Sequence, residues 1–328
     1  FVDILKHHYF TDTVLNPTKP KNVFAAFCIA CAVLVSTLIL GFSAFTPVMA
    51  NAETIELSKR IHHAVDGHIL PRLRQFTTQA EELNSNIARY CASGQRDDWD
   101  KTKSSFGATV TDWAAASHLR FGPVTFEGRA RRLSFWPDPR GIVWRQLRRV
   151  LSKRDEVLLE PGALAKQSVA IQGLTALEII LNRQIPIGEK ATPGDLYKCD
   201  LATAISRNIA ATSQSIIDEW TANSGWRQRL LHPGKQNDIY PTTESAAAEL
   251  VKSAMLGFQI IRDQQIEILQ QAMNGEKKVS RLPFHRSNLA ADYLRASING
   301  SCELVEKLDL TFYVPDKKAW IRNWIPKG

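Results

Sequence analysis

Apolar residues recur at spacings of three and four along almost the whole chain after residue 53, without a sustained apolar–polar alternation. This spacing matches the 3.6-residue turn of an α-helix, whereas a half-buried strand needs a period of two. The sequence therefore predicts an all-α fold. The predicted helices cover residues 53–92, with a bend at Pro71, and residues 97–119, 140–153, 161–182, 195–230, 242–274 and 287–309.

A cluster of helix-breaking residues divides the helical part into halves of similar size. Two prolines and two glycines fall within residues 186–194, a composition typical of a linker. Hydrophobic residues make up 44% of the chain, so each half can build a bundle of three or four helices with its own core. We expect a first helical bundle over 53–185, a linker over 186–194 and a second bundle over 195–328.

The N-terminal extension, residues 1–52, contains an uncharged run from 23 to 45 that follows two lysines and precedes several small residues. A basic flank, an apolar run and small residues near its end are typical of a secretory signal peptide. The run is also long enough to cross a bilayer, so an uncleaved inner-membrane anchor is the alternative. We expect the protein in the periplasm, with membrane attachment only through an uncleaved N-terminal segment.

Export determines how the five cysteines are interpreted. Cys28 and Cys31 belong to the apolar run, which leaves Cys91, Cys199 and Cys302 in an oxidising compartment. Three thiols allow one disulfide in three pairings. We predict Cys91 with Cys199, because each lies at the end of a predicted helix, where antiparallel neighbours can meet. None of the three has the Cys-x-x-Cys spacing of a zinc ribbon.

The formal net charge is +8, and nine basic residues fall within residues 129–154, interleaved with aromatic ones. Export argues against a nucleic-acid partner for this charge. One interpretation is a solvated helix face whose aromatic side lies in the core. The other is a docking patch for an acidic partner or a membrane surface. The arginines of that patch would be Arg131, Arg132, Arg145, Arg148 and Arg149.

Residues 173–178, Gly-Leu-Thr-Ala-Leu-Glu, lie inside the predicted helix 161–182. Thr175 and Glu178 are three residues apart, so they project from one helix face and could address the same ligand. A carboxylate on this apolar stretch is costly to bury unless it is paired, coordinated or protonated. The alternative is an ion pair of Glu178 with Arg207 or Arg262.

These six residues resemble the Gly-x-His-x-x-Glu signature of the imelysin family, with Thr175 at the position of the histidine. The similarity extends over residues 55–310. Its other residues are Trp113, Arg120–Pro123, Arg129, Phe135–Asp138, Gly257, Ile261–Gln264, Leu282–Phe284 and Arg286–Ser287. The resemblance implies two helical bundles and a periplasmic, non-enzymatic protein of iron acquisition or metal handling, without catalytic residues. Periplasmic or membrane-associated iron-uptake proteins would be its partners.

The resemblance also implies a pocket between the bundles, in which Glu178, Thr175 and His118 bind a metal or another ligand. Iron or another divalent metal would bind weakly, because a threonine hydroxyl is a poor substitute for an imidazole. The family carries a peptidase label, so a metal-dependent peptidase is an alternative, although no His-Glu-x-x-His is present. A helical interaction protein acting through the arginine-rich segment is the other.

A second candidate metal site lies near the start of the first predicted helix. His62 and Asp66 are four residues apart and share a helix face, with His63 alongside. His68 is close in sequence but about 160° from Asp66 around the helix. The simpler interpretation of these histidines is a solvated helix surface.

We predict that the N-terminal signal directs export and is cleaved after Ala50 or Ala52, because small residues stand at the positions that signal peptidase reads. N-terminal sequencing of the exported protein measures this. Recovery of residues 20–45 intact in a membrane fraction would show instead that the segment is an anchor.

Overall fold

The computed structural model describes residues 47–275 and 281–309, with side chains from residue 54 onward. Every regular element in these ranges is helical, which confirms the all-α prediction. No helix within them is long and apolar enough to cross a membrane. The uncharged run 23–45 lies outside the described residues, so the choice between signal peptide and anchor stays a prediction.

The α-helices of the described ranges differ widely in length. They are α1 Pro47–Ala64, α2 Leu70–Ser93, α3 Arg96–Ala116, α4 Arg129–Leu133, α5 Ile142–Lys153, α6 Leu174–Leu181, α7 Pro193–Thr221, α8 Trp226–Leu231, α9 Thr243–Ile260, α10 Glu267–Met273 and α11 Ala290–Lys307. Short π-helices, Val65–Ile69 and Ile261–Ile266, continue α1 into α2 and α9 into α10. Each inserts a wider turn without ending the helix.

The start of α7 follows from its local sequence. Thr192 accepts a hydrogen bond from the backbone N–H of Asp195 at 3.2 Å, and the Asp195 carboxylate accepts one from the Thr192 N–H at 3.1 Å. This reciprocal capping box satisfies backbone donors that a helix start leaves free, and Pro193 needs no such bond at the first turn. Part of the predicted linker 186–194 thus serves as a helix start.

The predicted helix 161–182 is wrong in its first half. Residues 156–171 form separate 3₁₀ turns, and only α6 is α-helical. Gly173, the residue before α6, is extended, and a Cβ there would lie 2.2 Å from the carbonyl oxygen of Arg132. The close passage of α4 therefore fixes where α6 begins, and Thr175 lies in its first turn rather than in mid-helix.

The predicted helix 195–230 is interrupted between α7 and α8. A Cβ on Gly225 would lie 2.6 Å from the carbonyl oxygen of Glu219, so only glycine permits this tight turn. The first predicted helix is continuous through Pro71, which stands in the first turn of α2 and has no backbone N–H to donate. In place of the predicted bend at Pro71, the structure has the π-helix Val65–Ile69 just before this residue.

Packing centres on α2, which lies along both α3 and α7, while α11 packs against α3 and α9. Phe76 of α2 and Trp113 of α3 are both buried, with ring centroids 5.4 Å apart. Leu57–Tyr313 forms one compact unit. Phe1–Glu56 with Val314–Gly328 is grouped separately, and only the start of α1 is described there. The division into two bundles at 186–194 stays a prediction.

A disulfide joins Cys91 of α2 to Cys199 of α7, as the sequence predicts, with the two Cα atoms 5.6 Å apart. It links positions separated by 108 residues. Cys302 is a buried free thiol on α11, and burial raises its pKa to about 12. A thiol that is buried and protonated is a poor nucleophile, so Cys302 should react only after unfolding.

We predict that the double change Cys91→Ser, Cys199→Ser lowers the free energy of unfolding by about 2–4 kcal/mol, because it removes a crosslink that restricts the unfolded chain. Urea denaturation of the oxidised protein measures this, with Cys302→Ala as a control that keeps the crosslink. Peptide mapping without reductant should recover Cys91 joined to Cys199. A peptide that joins Cys302 to either residue would contradict the assignment.

Candidate functional site

Two buried histidines meet where the π-helix Val65–Ile69 faces the end of α3. His68 is 1% exposed and His118 is 2% exposed, and their Nε2 atoms are 3.0 Å apart. The Nδ1 atom of His68 lies 3.3 Å from Oε2 of Glu303 on α11. Arg72 of α2 donates to both oxygens of the same carboxylate, from Nε at 2.9 Å and from a terminal nitrogen. These four residues are called the histidine cluster below.

The proton positions in the histidine cluster follow from its hydrogen bonds. An ionised carboxylate only accepts, so Nδ1 of His68 carries the proton that faces Glu303. The neutral ring of His68 then accepts at Nε2, and Nε2 of His118 donates to it. This leaves Nδ1 of His118 as a buried acceptor without a hydrogen-bond partner in the described structure. Protonation at that atom would place an unsatisfied charge in the core.

Burial and hydrogen bonding act in opposite directions on these groups. Burial lowers the pKa of His68 and outweighs the hydrogen bond and charge of Glu303, which act to raise it. Burial also lowers the pKa of His118 well below its usual value, and the neighbouring His68 adds to this. For Glu303, burial alone would raise the pKa, but the hydrogen bonds from His68 and Arg72 prevail and lower it to about 2.

The close approach of α9 to His118 requires a glycine. A Cβ on Gly257 would lie 2.6 Å from the Cβ of His118 and 2.7 Å from Oγ of Ser301 on α11. One turn earlier on α9, the hydroxyl of Ser253 donates to the carbonyl oxygen of His118 at 2.9 Å. Helices α3, α9 and α11 therefore close around this histidine.

Glu178 of α6 is buried in a different environment. It is 1% exposed, and its Oε1 atom accepts a hydrogen bond from the backbone N–H of Ser287 at 3.0 Å. Burial raises the pKa of Glu178, against the opposing effects of that hydrogen bond and of the charges on His285 and Arg286. Unlike Glu303, it forms no ion pair with any described residue.

The two arginines considered as partners of Glu178 bind elsewhere. Arg207 donates to the carbonyl oxygen of Leu159 at 3.1 Å, and Arg262 pairs with Asp263 at 2.5 Å. The alternative that Glu178 forms an ion pair with either arginine is therefore wrong. The carboxylate relies on the backbone N–H and the hydroxyl of Ser287, and on the positive charges of His285 and Arg286.

Thr175 stands one turn before Glu178 and contributes a second polar atom to this region. Its Oγ1 atom is buried, and no described residue gives it a hydrogen-bond partner. An unsatisfied buried hydroxyl commonly costs about 1–3 kcal/mol. Glu178, which lacks an ion pair, and Thr175, which lacks a hydrogen-bond partner, thus lie on one face of α6 and are called the α6 site below.

A short series of contacts connects the α6 site to the histidine cluster. Residue Ser287, which donates to Glu178, follows Phe284, whose ring centroid lies 5.2 Å from that of Tyr293. The Tyr293 hydroxyl is hydrogen-bonded to Ser117, the neighbour of His118. His118 itself contacts His68, not Glu178. The predicted set of Glu178, Thr175 and His118 is therefore divided between two adjacent clusters.

The second predicted metal site has another arrangement. The two carboxylate oxygens of Asp66 accept hydrogen bonds from Arg227, both at 2.8 Å. These hydrogen bonds lower the pKa of Asp66. His62 is half-buried on the preceding turn. A metal bound by His62 and Asp66 would have to displace the arginine.

The described part of the chain shows no ready-made metal site. No three histidine, cysteine or acidic side chains converge there in an arrangement suited to holding an ion. The α6 site offers one carboxylate and one hydroxyl, both hard oxygen donors. This donor set does not fit tightly held iron, for which proteins commonly add imidazole or further carboxylates.

The arginines of the predicted docking patch fall into two groups. Arg132 is half-buried, and its guanidinium donates to Gln172 and to the carbonyl oxygen of Ala165, both at 3.0 Å, and to Glu127 at 3.3 Å. The other members of the patch are exposed: Arg131, Arg145, Arg148 and Arg149.

Comparison with known proteins shows to which family this chain belongs. A profile of the imelysin family (Peptidase_M75) matches residues 69–306. The chain belongs to the imelysin family. No curated protein matched the chain.

Two solved structures show the same fold. An imelysin-like protein from Psychrobacter arcticum 273-4 has a TM-score of 0.55 and 13% identity, over 79% of this chain and 93% of that one. A precursor provisionally named iron-regulated protein A, from Parabacteroides distasonis ATCC 8503, has a TM-score of 0.59 and 14% identity, over 81% and 76%.

Sequence reasoning missed three residues of the histidine cluster in this imelysin-family protein: His68, Arg72 and Glu303. A signal for His68 was present, because Ile61, Val65 and His68 share the spacing of a buried helix face. The contact of Arg72 with Glu303 spans 231 residues and left no local signal.

We predict that the imelysin-family protein loses stability as the pH falls below about 6.5, by up to about 1.4 kcal/mol per pH unit for each buried histidine. The folded pKa values of His68 and His118 lie below those of the unfolded chain, so the unfolded state binds more protons in this range. Urea denaturation between pH 8 and pH 5 measures the slope.

The comparison variant for this experiment is His118→Asn, in which the free energy of unfolding should depend less steeply on pH. The control is His63→Asn, at an exposed position, which should keep the wild-type dependence. Glu178 acts in the opposite direction, because its raised pKa favours protonation of the folded state. That contribution is common to all three proteins and cancels. Identical slopes for wild type and His118→Asn would show that His118 does not resist protonation.

Proposed function

We propose that this imelysin-family protein acts in the periplasm, without enzymatic activity, in iron acquisition or metal handling, and that its α6 site binds the ligand. The observation that carries the proposal is the buried Glu178 carboxylate, which has no ion pair among the described residues and lies one turn from the unsatisfied Thr175 hydroxyl. A ligand that brings positive charge or hydrogen-bond donors would compensate the Glu178 carboxylate and give the Thr175 hydroxyl a partner.

Burial of Glu178 costs the folded protein free energy. A buried carboxylate with raised pKa destabilises the folded state at neutral pH relative to an exposed one, because the unfolded chain releases its proton more readily. A purely structural position could hold an apolar residue without this cost. Ionisable groups with perturbed pKa values are concentrated at functional sites, which supports a binding role for Glu178.

The chemistry of the α6 site limits the affinity for a metal. One carboxylate and one hydroxyl supply few of the ligands that iron or another divalent metal requires, so such a metal would bind weakly. Thr175 stands where the family signature has histidine. The provisional name of the Parabacteroides structure, iron-regulated protein A, is in keeping with an association with iron. Periplasmic or membrane-associated iron-uptake proteins are the partners that this proposal implies.

We predict that wild-type protein binds Fe²⁺ or Zn²⁺ weakly and that Thr175→His strengthens binding by roughly tenfold or more, because an imidazole one turn from a carboxylate adds a strong nitrogen ligand. Glu178→Ala should abolish binding, whereas Thr175→Val, which removes the hydroxyl at similar volume, should weaken it slightly. Anaerobic calorimetric titration of the full chain with each metal measures these effects.

Three outcomes would contradict the proposal. Tight binding by wild type that survives Glu178→Ala would move the site away from α6, with His62 and Asp66 as the next residues to change. Absence of binding in all variants would leave the interaction-protein interpretation in its place. Digestion of casein by wild type but not by Glu178→Ala would favour the peptidase alternative.

A further inference from the structure

Helix α5 presents a face of one charge sign to solvent. Its inner side packs Val143 and Leu147 into the core, while Trp144 remains 48% exposed. At 100° per residue, the exposed positions cover an arc of about 180° on the opposite side. In order around this arc they are Trp144, Arg148, Ser152, Arg145, Arg149 and Lys153. The helix contains no acidic residue.

The basic residues of this face are not neutralised by the protein. None of Arg145, Arg148, Arg149 or Lys153 has an ion pair with a carboxylate of the described residues, and the Arg145 guanidinium donates only to the carbonyl oxygen of Arg140. Arg140 and Arg154 extend the charge at either end of α5. Exposed basic residues on α3 differ in this respect.

On α3 each exposed basic side chain has an acidic neighbour. Arg96 pairs with Asp100 at 3.0 Å, Lys103 with Asp100 at 3.1 Å and Lys101 with Asp98 at 3.8 Å. These pairs leave little uncompensated charge on that surface. The two helices therefore differ: the basic residues of α3 are balanced by carboxylates, and those of α5 are not.

We infer that the exposed face of α5, with Trp144 at its edge, docks on a lipid surface that carries anionic headgroups. Four basic side chains distributed along a 12-residue helix, about 18 Å long, match a surface of many mobile negative charges better than a single defined ligand. Arginine and lysine contacts with such headgroups need no fixed geometry.

The position of Trp144 favours lipid over an acidic protein as the partner. An indole has an apolar ring and a polar N–H, and tryptophan accordingly prefers the boundary between headgroups and acyl chains. The apolar side of α5 is buried in the core, so the helix does not insert and lies flat on the surface. Binding should therefore depend on electrostatics and weaken with salt.

This inference is independent of the proposed metal site and bears on two expectations from the sequence. Arg132 has no part in docking, because its guanidinium is bound within the protein. The sequence indicates membrane attachment through the N-terminal segment, and α5 adds a second, reversible contact with an anionic lipid surface, which is the membrane alternative for the arginine-rich segment.

Flotation of the full chain with vesicles tests the inference. Vesicles of phosphatidylcholine with 30% phosphatidylglycerol are compared with pure phosphatidylcholine vesicles. Binding to the pure phosphatidylcholine vesicles measures the contribution of the uncharged run 23–45 alone. We expect the triple change Arg145→Gln, Arg148→Gln, Arg149→Gln to reduce binding to the anionic vesicles by roughly tenfold or more. Trp144→Ala should reduce it by a smaller factor, and raising the salt concentration should release wild type.

The matched control removes three basic residues from α3: Arg96→Gln, Lys101→Gln and Lys103→Gln. It changes the net charge equally and should keep wild-type binding. Equal binding of wild type to anionic and neutral vesicles, wild-type binding by the α5 variant, or an equal loss in the α3 control would each overturn the inference. Binding of an acidic polypeptide such as polyglutamate without binding of anionic vesicles would assign α5 to an acidic protein partner instead.

Discussion

The carboxylate of Glu303 holds the described helices in register. It accepts hydrogen bonds from Arg72 and faces His68, so it ties α11 to the junction of α1 and α2 near the other end of the chain. His68 in turn positions His118 at the end of α3. The partly buried charge of Glu303 is compensated by two partners, and removal of one partner would leave the others unsatisfied.

Glu303, which is partly buried, and Glu178, which is fully buried, therefore have opposite electrostatic environments. Glu303 has a guanidinium and an imidazole as partners, and its pKa is lowered to about 2. Glu178 has a backbone N–H from Ser287, and burial raises its pKa. The lowered pKa means that the Glu303 carboxylate stabilises the folded state at neutral pH with the partners the protein itself supplies. The raised pKa means that the Glu178 carboxylate destabilises the folded state at neutral pH in the absence of a ligand. This difference is the physical basis for placing the binding function at α6.

The two proposals use separate parts of the surface. Ligand binding depends on Glu178 and Thr175, and lipid docking depends on the outer face of α5. Helix α5 nevertheless packs against α6 through its inner side. A protein docked through α5 would thus hold its ligand site close to the membrane, as a role beside membrane-associated uptake proteins requires.

The sequence by itself determined the helical class and the family, because helix periodicity and motif spacing are local properties. It favoured Cys91 with Cys199 among three possible pairings, because both residues lie near ends of predicted helices. It also placed Thr175 and Glu178 on one helix face. It could not locate the start of α6, since the close passage of Arg132 at Gly173 decides that boundary. Only the tertiary structure decided that His118 joins His68 and Glu303 instead of Glu178, because burial and charge compensation depend on helices that are distant in the chain.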